Sequence, residues 1–146
     1  MRGGSCRAAY PEGALRRFAG ARSVVFLAPA GQPFEAVIAE RFSARLLGLA
    51  WLPAGTAPAL LIPRCRSVHT FGMRFELDLC FLALPAGTTG GVAVVVDVRQ
   101  RVRPRRFASV PQGAAGGGPI ATLELCAGDA AALGIEPGAS VGVELP

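Results

Sequence analysis

The sequence predicts a mainly β, compact single domain: a barrel or sandwich of about eight short strands with one or two short helices. Three observations predict it. Glycine and proline are frequent, 19 and 12 of 146 residues, and they cut the chain into the short pieces that turn-rich β domains require. Between these breakers lie β-branched and apolar runs, notably Ser23–Ala28, Val92–Val98 and Ile120–Leu125. The third observation is alternation. In the extended stretch Val68–Leu84, Phe75, Leu77, Leu79, Phe81 and Ala83 share one face, while Glu76, Asp78, Cys80 and Leu82 share the other. With the turn residues of Pro85–Gly91 and the run Val92–Val98, this stretch forms the clearest hairpin in the chain.

The elements follow in order. Residues 1–22 carry Arg2, Arg7, Arg16, Arg17 and Arg22 among Gly, Ala and Pro, and read as a poorly ordered basic arm. Residues 23–146 then form the single β domain. Its first strand, Ser23–Ala28, stops at Pro29, and a turn containing Gly31 leads to a second at Phe34–Ala39. Ser43 is a plausible N-cap for a short helix over Ala44–Leu47, closed by Gly48. Ala59–Ile62 is a strand stopped by Pro63, and Ser109–Pro119 a Gly-rich loop. After the strand Ile120–Leu125, Asp129–Leu133 reads as a second short helix with Gly134 at its C-terminal cap, before a last strand at Ser140–Glu144.

Composition narrows the function classes. Apolar residues are 51% and charged residues 17%, which argues against disorder and leaves ample material for one core. The net charge is +5, yet every one of the 15 basic residues is Arg. Such one-sided usage reads as composition bias rather than as selection for phosphate binding. No run approaches the roughly 18 apolar residues of a membrane span, and the N-terminal stretch lacks a signal-type apolar segment. The expectation is a cytoplasmic, soluble protein, no membrane, with Cys6, Cys65, Cys80 and Cys126 reduced and no CxxC pair among them.

Few residues suggest chemistry. His69 is the lone histidine, a candidate general acid/base beside Thr70, Arg45 and Asp78; its expected state is a buried imidazole bonded to backbone. Cys65 and His69 invite a metal, but four residues along an extended strand span about 13 Å, too far for one zinc. Cys80 and Cys126 lie in apolar strands and read as core. Asp78, between Leu77 and Leu79, needs a partner, and an ion pair with Arg45 or Arg74 is expected. Arg99, Arg101, Arg103 and Arg105 recur every second residue, which on an edge strand places four guanidinium groups on one solvated face. No aromatic residues interleave with them to stack bases. Trp51 reads as a core anchor. Gly113–Gly118 lacks the Lys-Ser/Thr of a phosphate loop.

Three segments carry a resemblance: Arg45-Leu-Leu-Gly48-Leu49, then His69-Thr-Phe-Gly-Met-Arg-Phe75 with Asp78, then Leu123-Glu-Leu-Cys-Ala-Gly128 with Gly134, Ile135 and Gly138. In this order and spacing they resemble the bacterial domain-of-unknown-function family 192, also called uncharacterised protein family 0127, from about Val24 to Val143. The resemblance implies a compact, mostly β domain and supplies no catalytic residues. Glu76 and Ala139 stand where that pattern usually has Pro and Asp.

The reading that results is a binding module with a small pocket near Arg45, His69, Thr70, Met73 and Asp78, Gly72 giving close backbone access. Its partner would be a small molecule; no cofactor, no metal and no specific nucleic-acid complex are expected. A small hydrolase using His69 with Asp78 is one alternative. An adaptor binding an anionic partner through the Arg99–Arg105 face is another.

Overall fold

The computed structural model describes residues 18, 20–40, 59–85, 90–114 and 118–144. Among the described residues nine strands form in chain order: β1 Ser23–Leu27, β2 Pro33–Ile38, β3 Ala59–Ile62, β4 Ser67–His69, β5 Leu77–Ala83, β6 Gly91–Val102, β7 Phe107–Ser109, β8 Ile120–Cys126 and β9 Ser140–Glu144. One helix among the described residues, α1 Asp129–Leu133, lies between β8 and β9. Seven strands close a barrel in the order β1-β2-β3-β8-β5-β6-β9, while β4 and β7 pair separately as a ribbon. The predicted hairpin is present as β5 against β6. The predicted helix at Ala44–Leu47 and Trp51 lie outside the described residues.

All barrel pairings are antiparallel except β2 with β3. A parallel pair needs a crossover of a dozen or more residues, which the connection 39–58 supplies.

The apolar residues divide into two layers. Val24, Phe26, Ile38, Leu61, Leu82, Leu123 and Val141 fill the barrel, and Ala130 and Ile135 of the α1 region join them. Leu60, Ile62, Leu77, Leu79, Phe81 and Ile120 point the other way, from the outer wall onto Val68, Met73, Ala108 and Val110. The ribbon therefore covers one flank of the barrel. β5 and β8 are buried on both faces, so their sequences are almost continuously apolar. Asp78, on the inner face of β5, has no exposed surface.

The long extended stretch from Val68 is corrected. It breaks after His69 into a turn, with Gly72 at a left-handed φ of 81°, and resumes at Leu77. At the other end, Phe18 packs on the outer core, and the exposed Arg22 is tied to the fold: its carbonyl accepts the Ile38 amide and its guanidinium pairs with Glu40. The rest of the expected basic arm, residues 1–17, lies outside the described residues.

Candidate functional site

The ribbon and the turn between β6 and β7 build one surface. Register sets its faces: Ser67 opposes Ser109, Val68 opposes Ala108, and His69 opposes Phe107. Val68 and Ala108 are buried against the barrel wall, so period-two alternation turns His69 and Phe107 outward. Phe71 joins them from the following turn. The Phe71 and Phe107 ring centroids lie 5.2 Å apart, and His69 lies 5.6 Å from Phe71 and 6.3 Å from Phe107. These separations are those of packed aromatic pairs, yet Phe71 is 45% exposed and Phe107 75%.

Thr70 fixes this arrangement. It is buried, and its hydroxyl donates to the Arg103 carbonyl at 2.7 Å while accepting the Arg106 amide at 2.8 Å. Its own amide donates to the Arg106 carbonyl at 2.8 Å, and its carbonyl accepts the Arg105 amide at 3.2 Å. One threonine thus ties the end of β4 to the whole arginine turn. Arg105 takes a left-handed φ of 65° there, unusual for a side-chain-bearing residue.

The predicted row of four guanidinium groups does not form. β6 carries an extra residue opposite Leu77–Leu79, Arg101 adopts a φ of 52°, and the strand ends at Val102. Arg99 instead pairs with Asp97 at 2.8 Å. Arg103, Arg105 and Arg106 lie exposed in the turn beside the rings, and none makes an ion pair with a described residue.

The residues expected to share a pocket part company. His69 is exposed, which corrects the expected buried imidazole: its strand is an outer ribbon and its parity points to water. Met73 packs in the outer core. Asp78 is buried at the barrel end, where Oδ1 accepts the Arg101 amide at 2.9 Å and Oδ2 accepts the amides of Gly128 at 2.9 Å and Ala130 at 3.0 Å. The expected pairing with Arg74 is replaced by these backbone donors, and Arg45 lies outside the described residues. The hydrogen bonds of Asp78 all go to backbone amides and none to His69, whose ring contacts are phenylalanines.

Cys65 donates through Sγ to the Ser67 carbonyl at 3.2 Å. Burial, and secondarily the nearby Asp78 carboxylate, pushes the Cys80 thiol up to about 12, so it is no thiolate nucleophile at neutral pH. Among the described residues no group of three His, Cys, Asp or Glu side chains could hold a metal ion.

At the far end of the ribbon, Arg64, Arg66, Gln112 and Pro119 line an open cleft of about 660 Å³. Arg66 is steadied by a 3.3 Å bond from Nη1 to the Val110 carbonyl.

Phe107 carries no local signal in the sequence. It stands directly after Arg105-Arg106 and before the buried Ala108, but only its pairing with His69 makes it part of a ring cluster.

A closed barrel with one parallel pairing and a flanking ribbon defines the class: a small, mainly β single domain. Within that class the chain belongs to the family of domain of unknown function 192, described as an uncharacterized ACR, whose model matches residues 25–143. Two solved structures share the architecture. A protein of unknown function from Novosphingobium aromaticivorans is 23% identical with a TM-score of 0.59, the match covering 84% of this chain and 83% of that one. A candidate transcription regulator from Sinorhizobium meliloti is 20% identical with a TM-score of 0.57, covering 83% of this chain and 92% of that one. Both likenesses are of fold. No curated protein matches the chain. No helix among the described residues is long and apolar enough to cross a membrane.

Proposed function

We propose that this protein is a binding domain whose ligand lies on the outer face of the β4–β7 ribbon around His69. The observation that carries the reading is the mutual contact of three solvent-facing rings, with Phe107 75% exposed. Contiguous exposed apolar surface on a soluble domain marks an interaction site. This surface is also stiff: Val68 and Ala108 anchor its inner face, and the Thr70 bonds hold its end. A preordered platform loses little entropy when it binds. Arginines 103, 105 and 106, which make no ion pair among the described residues, favour an anionic ligand with a flat apolar face.

The anionic dye 8-anilinonaphthalene-1-sulfonate has both properties and tests the reading directly. Wild-type protein is expected to bind it saturably, and the double variant Phe71→Ser, Phe107→Ser to lose that binding while melting within a few degrees of wild type. A second exposed apolar strip, Leu27 on β1 and Val92 on β6 with Gly142 between them, supplies the control. Dye binding that survives the phenylalanine changes and disappears in Leu27→Ser, Val92→Ser would overturn the assignment.

A further inference from the structure

Resting on that reading, we propose that the ribbon's ligand is single-stranded nucleic acid. Bases would stack on Phe71, Phe107 and His69, and phosphates would meet Arg103, Arg105 and Arg106. The sequence alone argued otherwise, because no aromatic residues alternate with the arginines. Pairing of His69 with Phe107 removes that objection by delivering rings from a distant stretch of chain to the arginine turn. The Thr70 bonds then hold the cations and the rings in one rigid unit.

The two halves of this surface fit the two halves of a nucleotide. Exposed rings stack bases without regard to sequence, because every base has a π-face, and flanking guanidinium groups track the backbone. The charge is available: Arg22 and Arg99 are neutralised by Glu40 and Asp97, whereas the three turn arginines have no carboxylate among the described residues. Arg64 and Arg66 in the cleft beyond Ser67 continue the positive surface along the ribbon. A duplex keeps its bases stacked and offers the rings nothing, and an acidic peptide would use the arginines but not three packed rings.

Fluorescence anisotropy with a labelled oligothymidylate tests the proposal. Binding is expected to weaken roughly 20-fold between about 50 and about 200 mM salt, as three phosphate contacts on a single strand require. Phe71→Ala with Phe107→Ala should weaken it at least about tenfold with the salt slope unchanged, and Phe107→Tyr should retain it. Arg105→Glu with Arg106→Glu should flatten the slope. The proposal is overturned by no binding at the lower salt, by equal affinity for a duplex of the same length, or by poly-glutamate binding that depends on the same phenylalanines. If the dye is lost from the phenylalanine variant but the oligonucleotide never binds, the platform stands and its nucleic-acid ligand does not. If the dye is unaffected, the platform itself is wrong.

Discussion

Asp78, at the start of β5, accepts a 3.0 Å hydrogen bond from the amide of Ala130 in α1. The helix has a glycine, Gly128, at its N-cap and no side-chain cap of its own. A carboxylate from a strand 52 residues upstream takes the capping role. The same carboxylate holds the Arg101 amide at the β6 bulge, so one side chain joins β5, β6 and α1 at the barrel end.

Asp78→Asn should therefore damage stability. The amide presents an N–H where a backbone donor now points, leaving at least one buried N–H without an acceptor. The expected cost is about 2–4 kcal/mol, a fall in melting temperature of roughly 6–15 °C. Thermal unfolding followed by circular dichroism measures it. A change under a degree would show that the three amide bonds contribute nothing net.

Much of this fold was legible in the sequence and much of the site was not, for a physical reason. Periodicity and breakers act locally, so the strand Ser23–Ala28, the shared face of Leu77 and Leu79, and the β5–β6 hairpin all declared themselves. The limits of a strand set by long-range bonds did not. Nothing near Arg101 announces a bulge; the acceptor that stabilises it is Asp78, on another strand. Nothing near His69 announces exposure; that depends on Val68 finding Ala108 and the outer core. The near-continuous apolar runs of β5 and β8 do carry their double burial, but the partners of Asp78, three backbone amides elsewhere in the chain, left no local mark.

Cys80 gives the molecule a pH dependence with a definite sign. Its thiol is raised from an ordinary 9.0 to about 12 in the folded state, chiefly by burial. The folded protein thus holds that proton more tightly than the unfolded chain does. The associated stability is intact below pH 9.0 and is lost as pH rises towards about 12. Melting temperature should fall more steeply across that window in wild type than in Cys80→Ala. At pH 8, iodoacetamide should leave Cys80 unmodified until the chain is unfolded, by peptide mass mapping. Rapid alkylation of the folded protein at Cys80 would contradict its burial.

His69 and Thr70 are adjacent in sequence and should respond oppositely to mutation. His69 faces water, and its contacts are the edges and faces of two exposed rings. Its removal strands no buried polar group, so His69→Ala should change stability by no more than about 0.5 kcal/mol. Thr70→Val is nearly isosteric, but it deletes the hydroxyl that donates to the Arg103 carbonyl and accepts the Arg106 amide inside a buried turn. That loss should cost about 1–3 kcal/mol. It should also loosen Phe107, which follows Arg106 directly, so native-state hydrogen exchange at residues 105–108 should quicken in Thr70→Val and stay at the wild-type rate in His69→Ala. A stable Thr70→Val protein with unchanged exchange would mean that the ribbon is held by Val68 and Ala108 alone. A large destabilisation by His69→Ala would mean that its ring packs into the core after all, and the surface proposed for ligand binding would lose its first residue.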